Sequence, residues 1–123
     1  PRVTERVIDA VRGGAGAVIP VLPVTDTLKT VDASGVVTGT PRRSDMVAVQ
    51  TPQGFRWDVL TRAHEAGASL GADEARAATD DAGLVEAIGG SVQTVAGDEL
   101  SLKVTRPLDL AIARLLADQE QAD

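Results

Sequence analysis

The order of apolar and polar positions predicts a helix and a buried strand at the start of the chain. Apolar residues recur at helical spacing over Pro1–Arg12, and the glycine pair at 13–14 ends this pattern. The next residues, Ala15–Val24, form a continuous apolar run rich in valine, typical of a strand covered on both faces in a parallel sheet. A helix, a short glycine link and a buried strand follow one another as in the second half of a βαβ unit.

The middle of the chain has a different pattern, in which short β-like pieces alternate with turn residues. Thr27–Val31 and Val36–Thr40 are predicted to pair as a hairpin around the turn Asp32–Gly35, and Met46–Gln50 is a third piece. These pieces contain little apolar material, so together they cannot bury much surface alone. We therefore expect an arm at about residues 25–50 that lies on another surface, either of its own domain or of a second subunit.

The second half of the chain alternates helical patterns with short links. Helical spacing predicts helices over Gly54–Gly67, Asp80–Ile88 and Pro107–Ala117, while Ser91–Ala96 predicts a short strand. Ser69–Ala78 is typical of a linker, and the tail after residue 118 is predicted to fray. The apolar side chains expected to face the core are Trp57, Leu60, Ala63, Leu84, Val85, Ile88, Leu108, Ala111, Ile112 and Leu115.

Composition limits the classes of function. The 123 residues suffice for one domain with a modest core, and a net charge of −6 without a basic stripe argues against broad nucleic-acid binding. The longest apolar run is too short to span a membrane. The absence of cysteine excludes disulfides, thiol catalysis and cysteine-ligated metals. The single histidine, His64, excludes a histidine-rich metal site and is predicted to lie on the surface.

The strongest candidate chemistry lies in Ser101–Leu110. Lys103 leaves a strand-like run and precedes a helix start, where Thr105 or Arg106 is the predicted cap and Pro107 lies in the first turn. Backbone N–H groups at a helix start are donors at the positive end of the helix dipole. A lysine beside them predicts an anion site, with phosphate as the favoured anion. The alternative is a strand–helix junction with a solvated lysine.

Four other polar clusters are weaker candidates, and each has a structural alternative. Thr25–Lys29 follows the buried strand, where ligands bind in open α/β sheets, but it could equally be the turn that opens the arm. The arginine pair at 42–43 could bind phosphate through both guanidinium groups or could be a solvated pair of surface charges. The segment Thr51–Phe55, which contains a proline, is predicted to be a rigid connector. Thr79–Ala82 opens a helix with a polar cap. A metal role for its two aspartates would need more oxygen ligands than this chain offers.

The order and spacing of these clusters along the chain together resemble the motifs of one protein family. The chain is similar, over almost its whole length, to the 2-C-methyl-D-erythritol 4-phosphate cytidylyltransferases of the non-mevalonate isoprenoid pathway. The four blocks and their spacing are far more specific than any one block. They are Pro23–Lys29, Thr51–Phe55, Thr79–Ala82 and Leu102–Leu110.

The resemblance covers only the carboxyl-terminal half of that family. It implies that residues 1–123 are part of a single nucleotidyltransferase domain, with a partial Rossmann-like α/β sheet and a β-arm that crosses between the subunits of a homodimer. The family's glycine-rich CTP loop and its aspartate segment for Mg²⁺ would precede this chain. We therefore expect no CTP-phosphate or metal ligands in this part, no activity from this part alone, and a cytoplasmic enzyme.

The resemblance also implies the reaction and its residues. An oxygen of methylerythritol phosphate attacks the α-phosphorus of CTP, and pyrophosphate leaves. Lys103 corresponds to a lysine that orients the attacking phosphate, and Arg43 to an arm arginine that grips that phosphate in the partner's active site. Thr27, Thr79 and, more weakly, Thr105 correspond to substrate-binding threonines.

Two alternatives stay open from the sequence. The chain could be a non-catalytic dimerisation fragment, or part of a related nucleotidyltransferase that acts on another polyol phosphate. Arg42 has no counterpart in the family and keeps its interpretation as a surface charge.

Overall fold

A computed structural model describes residues 2–70 and 79–122 of the protein. Within these ranges the chain forms four α-helices, six strands and one short 3₁₀ turn. The elements in chain order are α1 (Arg2–Arg12), β1 (Ala17–Pro23), β2 (Thr30–Val31), β3 (Val37–Gly39), the 3₁₀ turn (Arg43–Asp45), β4 (Val47–Val49), β5 (Gly54–Phe55), α2 (Trp57–Leu70), α3 (Asp81–Ala87), β6 (Gln93–Ala96) and α4 (Pro107–Ala122). The predicted α/β class is confirmed. Most of the predicted linker lies outside the described residues.

Strand β1 is the centre of a mixed four-stranded sheet. It pairs in parallel with β6, where Ile19 lies opposite Thr94, and antiparallel with β4, where Val21 lies opposite Val49. Strand β5 also pairs antiparallel with β1, so β4 and β5 follow one another along it, separated by Gln50–Gln53. The prediction of a parallel sheet therefore holds only for the β1–β6 pair. The reason is that the chain returns from the arm directly beside β1, as in a hairpin.

Helices cover both faces of β1, as its apolar run predicted. Val7 of α1 packs with Val18 on one face, while Ala17 packs with Ala63 of α2 and Val85 of α3 on the other. All five side chains are nearly or fully buried. Since successive residues of a strand point to opposite faces, neighbouring residues of β1 serve two separate core clusters.

The predicted helix Gly54–Gly67 begins later than expected, at Trp57. Gly54 and Phe55 instead form a strand, because they pair with the start of β1 and the N–H of Arg56 donates to the Gly16 carbonyl at 2.9 Å. A Cβ on Gly54 would clash with the Val7 side chain, so glycine allows α1 to lie close to the sheet.

Several side chains expected in the core are exposed. Trp57 is 80% exposed, Leu108 70% and Leu115 59%, and Ile88, Ala111 and Ile112 are also exposed. The inward assignment of these residues was wrong. The physical reason is that both faces of β1 are already covered by α1, α2 and α3, so the described part of the chain offers little sheet surface to α4. Helix α4 also runs to residue 122 instead of fraying after 118.

The arm contains a shorter hairpin than predicted, formed by β2 and β3. Its turn is closed by Asp32 Oδ1, which accepts hydrogen bonds from the Ser34 N–H at 2.9 Å, the Ser34 hydroxyl at 2.7 Å and the Val36 N–H at 3.0 Å. The Ser34 hydroxyl and then the Val36 N–H lower the pKa of this carboxyl. The third predicted piece became β4 of the main sheet, so the arm is continuous with the core at that point.

Candidate functional site

A cavity of about 630 Å³ lies beside the carboxyl-terminal part of β1 and the antiparallel strand β4. Its walls come from four segments: these paired strands, the connector Gln50–Gln53, the start of α3, and the segment that leads into α4. Because β1 runs through the centre of the sheet, the position of this cavity is set by the core. No described helix combines the length and apolar character that a bilayer crossing requires.

The structure brings together three of the five predicted site residues. Lys103, Thr105 and Thr79 all line the cavity, although they come from two segments far apart in sequence. Thr27 and Arg43 are exposed on the arm and are not among the residues that line it. The Arg43 guanidinium donates to the Thr25 carbonyl at 2.8 Å, so its side chain lies along the base of the arm.

The start of α4 is capped by an acid of its own first turn. Asp109 is 9% exposed, and its Oδ2 accepts hydrogen bonds from the Arg106 N–H at 3.0 Å, the Thr105 N–H at 3.2 Å and the Thr105 hydroxyl at 3.1 Å. This is the acidic half of a capping box. The Thr105 N–H, with its hydroxyl and the Arg106 N–H, lowers the pKa of Asp109 against the opposing effect of burial.

This cap engages only part of the donors near the helix start. The N–H groups of Thr105 and Arg106, which precede α4, bind the Asp109 carboxylate, and Pro107 has no N–H. The first-turn N–H groups of Leu108 and Asp109 are not engaged by this cap, so an anion site built from them together with Lys103 stays a prediction. The Thr105 hydroxyl is also engaged by Asp109, and its role toward substrate stays a prediction.

The connector between β4 and β5 carries two engaged amide side chains. It contains a cis peptide bond between Thr51 and Pro52. Gln50 accepts from the Asp98 N–H at 2.9 Å and donates to the Asp98 carbonyl at 2.8 Å. Gln53 donates to Asp80 at 2.9 Å. Sequence reasoning treated this stretch only as a rigid connector. The available signal was a glutamine on each side of a proline, next to an apolar strand.

The two aspartates at the start of α3 serve structural contacts. Asp80 is the N-cap, since its Oδ1 accepts from the Gly83 N–H at 2.8 Å, which confirms the predicted cap. Asp81 Oδ1 lies 2.9 Å from Nε2 of His64, whose exposure agrees with the surface position predicted for it. Among residues 2–70 and 79–122, no three His, Asp or Glu side chains come together as a metal site would require.

Comparisons with known proteins agree with this architecture. A family model described as "IspD: 2-C-methyl-D-erythritol 4-phosphate cytidylyltransferase" matches residues 1–119. The chain is 51% identical over 119 residues to the protein of that name from Rhodococcus jostii, which covers 97% of this chain and 50% of the relative. A relative of the same name from Nocardia farcinica is 52% identical over 122 residues, covering 99% and 50%. The chain thus spans about half the length of the curated relatives it matches.

Solved structures give the same result. The crystal structure of the cytidylyltransferase from Thermus thermophilus matches with a TM-score of 0.78 and 38% identity, over 94% of this chain and 54% of that one. The synthase from Anaerococcus prevotii matches with a TM-score of 0.79 and 28% identity, over 95% and 52%. With a family match that runs from residue 1 to 119 and relatives about half identical in sequence, this chain belongs to the 2-C-methyl-D-erythritol 4-phosphate cytidylyltransferase family.

Proposed function

We propose that this chain is the carboxyl-terminal half of an enzyme that transfers a cytidylyl group from CTP to 2-C-methyl-D-erythritol 4-phosphate. In this reaction a phosphate oxygen of the methylerythritol phosphate forms a bond to the α-phosphorus of CTP. The bond between that phosphorus and the bridging oxygen to the β-phosphate breaks, and pyrophosphate leaves. Family membership and the match to half of each curated relative support this assignment.

One observation about the site carries the proposal: Lys103 and Thr79 line a single cavity in a chain of this family. A phosphate monoester needs charge neutralisation and a fixed orientation before it can attack a second phosphate. The Lys103 ammonium supplies the positive charge, and the Thr79 hydroxyl supplies a further donor. We assign Lys103 the catalytic role, and Thr79 and Thr105 substrate-binding roles.

The arm completes the site from a second subunit in this proposal. Thr27 and Arg43 are exposed on the arm, apart from the residues that line the cavity. Large apolar side chains near its tip are also exposed: Val31 59%, Val36 61% and Val37 55%. Apolar surface of this kind is typical of a contact with another subunit. We therefore propose a homodimer in which each arm brings Arg43 and Thr27 to the partner's cavity.

The described residues contain no cluster of carboxylates or histidines that could bind the Mg²⁺ implied by the family. We propose that it binds with CTP in the other half of the enzyme, and no step assigned to this chain depends on it. A cytoplasmic location remains a prediction from the family resemblance.

The test is pyrophosphate release by a protein of the relatives' full length that contains this chain. We expect activity with CTP and methylerythritol phosphate, and a decrease in kcat/KM of roughly 30- to 1000-fold for Lys103→Ala, the loss expected for one charged contact to a transition state. Arg12→Ala, which removes an exposed cation at the end of α1, is the control and should leave kcat/KM unchanged. Normal turnover of Lys103→Ala would refute the assigned role.

Substrate choice separates the remaining alternatives. Faster turnover of another polyol phosphate would identify a related nucleotidyltransferase, and the absence of pyrophosphate release with any of them would favour a dimerisation module without catalysis.

A further inference from the structure

The segment that carries Lys103 has no regular secondary structure of its own. Residues 101–105 lie between β6 and α4 and belong to neither helix nor strand. The direction of the Lys103 side chain therefore depends on how the two ends of this segment are held. The carboxyl-terminal end is held by Asp109, which binds the N–H groups of Thr105 and Arg106.

The amino-terminal end is held by Gln50. Its Oε1 accepts from the Asp98 N–H at 2.9 Å, and its Nε2 donates to the carbonyls of Asp98 at 2.8 Å and, less closely, of Ser101 at 3.4 Å. The side-chain amide thus pairs with both polar backbone groups of Asp98, as a neighbouring strand would. Because the oxygen and the nitrogen of the Gln50 amide both bind backbone groups of this loop, we assign the amide to holding the loop.

The loop held by Gln50 is closed on itself. Asp98 Oδ1 accepts from the Leu100 N–H at 2.8 Å, and the Asp98 carbonyl accepts from the Ser101 N–H at 2.9 Å. Holding Asp98 therefore fixes the whole turn from 98 to 101, and Lys103 follows two residues later.

Two further contacts hold the end of β6 close to the Gln50 side chain. A methyl group on Gly97 would overlap Oε1 of Gln50, so glycine is needed for the amide to lie against the backbone. On the other side, the Arg6 guanidinium of α1 donates to the carbonyls of Ala96 at 2.8 Å and Gly97 at 3.2 Å. The end of β6 is thus held from the helix layer and from the connector together.

Gln53 makes matching contacts to a second segment of the cavity lining, at the start of α3. Its Nε2 donates to Asp80 Oδ2 at 2.9 Å, and its Oε1 accepts from the Ala82 N–H at 3.3 Å. Thr79 is the residue before Asp80, so Gln53 fixes the position of Thr79 as Gln50 fixes that of Lys103.

We propose that Gln50 and Gln53 are positioning residues, which set the separation of the Lys103 and Thr79 walls to fit a phosphate monoester. The inference rests on the proposed function, because it assigns Lys103 and Thr79 to one substrate. The two glutamines flank one short connector that is itself anchored to the central strand through the bond from the Gln50 N–H to the Pro20 carbonyl at 2.8 Å. The segments that carry Lys103 and Thr79 are therefore both attached, through the same connector, to the central strand β1.

The experiment compares Gln50→Met with Gln93→Met in the full-length enzyme. Methionine keeps the length of glutamine and removes its hydrogen bonds. Gln93 is an exposed residue of β6 with no side-chain hydrogen bond to the described part of the chain, so it is the matched control. Gln50→Met should raise KM for methylerythritol phosphate about tenfold, because Lys103 is then no longer held in place, while KM for CTP changes less than about twofold. Gln93→Met should leave both unchanged, and Gln53→Met should behave like Gln50→Met.

A double-mutant cycle then separates positioning from general loss of structure. If Gln50 acts through Lys103, then in the Lys103→Ala background Gln50→Met should lower kcat/KM by less than about twofold. An equal loss in both backgrounds would overturn the proposal, and so would an unchanged KM for methylerythritol phosphate in Gln50→Met.

Two controls keep the result interpretable. If Gln50→Met does not fold, Gln53→Met serves in its place, because it removes the matching bonds to Asp80 and Ala82 without adding a charge. An inactive parent enzyme would refute the proposed function. An active parent with unaffected Gln50 and Gln53 variants would refute only the positioning roles.

Discussion

The cavity wall and the arm both contain candidate site residues, but different kinds of hydrogen bonds hold the two regions in place. The wall is held by hydrogen bonds between segments distant in sequence, such as the bond from Gln50 to Asp98. The β2–β3 hairpin of the arm is held by local bonds, such as the 2.8 Å contact between the hydroxyls of Thr30 and Thr38. The positions of the wall residues are therefore fixed by the rest of this chain, whereas the hairpin fixes only its own shape.

Burial differs beneath the two sets, although the candidate side chains themselves are exposed in both. Val18, near the start of the central strand β1, is fully buried against α1, but Val37 on the arm is 55% exposed. The wall residues are therefore attached to a packed sheet, whereas the arm residues are attached to a hairpin that is largely exposed. The proposed active site accordingly needs two chains to bring Lys103 and Arg43 together.

The largest expected effect comes from mixing two inactive variants of the full-length enzyme. Lys103→Ala removes the cavity lysine and Arg43→Ala removes the arm arginine. In a heterodimer of the two, one cavity has both an intact lysine and an intact incoming arm. Random exchange of equal amounts makes about half of the dimers mixed, so turnover should recover to about a quarter of the wild-type value.

Subunit exchange should be verified with two affinity tags before turnover is measured. Recovery no greater than the sum of the two separate variants, in verified heterodimers, would mean that the arm serves its own chain or neither.

A smaller effect should appear in stability. Val18→Ala leaves a cavity in a fully buried site and should lower the free energy of unfolding by about 2 kcal/mol, independently of protein concentration. Val37→Ala should cost less than about 0.5 kcal/mol when the protein is dilute, and more at concentrations where the arms are covered by partners. Urea unfolding at two protein concentrations measures both. A concentration-independent cost for Val37→Ala would contradict a partner-covered arm.

The smallest expected effect concerns pH and the cap of α4. The pKa of Asp109 in the folded protein is lowered from 3.8, chiefly by the Thr105 N–H, so folding favours the charged carboxylate. Its contribution to stability is therefore present above about pH 4, the unfolded value, and is lost as pH falls through the lower folded pKa. The stability difference between wild type and Asp109→Asn should shrink over that acidic range. A difference that stays constant from pH 6 to pH 2.5 would show that the charge of Asp109 is not involved.

Local patterns in the sequence predicted the elements that depend on local chemistry. The buried strand, the hairpin turn at Asp32–Gly35 and the cap at Asp80 follow from apolar runs, turn residues and capping preferences. Each of these signals is complete within a few residues. The cluster of Lys103, Thr79 and Thr105 was predicted through the family resemblance, since nothing local connects residues so far apart.

The errors have a common physical origin in contacts between distant segments. Trp57 and Leu108 were assigned to the core from helical spacing, which shows that a helix has an apolar face but not what covers it. The strand at Gly54–Phe55 was missed because its stability comes from pairing with β1 and from the close approach of α1. The engagement of Asp109 was missed because a first-turn acid indicates a favourable interaction with the helix dipole but not which N–H groups its carboxylate binds.

The exposed indole of Trp57 gives this protein an optical property that matters in practice. The chain has one tryptophan and no tyrosine, so nearly all of its near-ultraviolet emission originates at the first residue of α2. With 80% of that residue open to water, the emission should lie at the long-wavelength end of the usual range. A segment that packs on this face of α2 would shift the emission of Trp57 to shorter wavelengths, so its binding to this chain can be followed without an added dye.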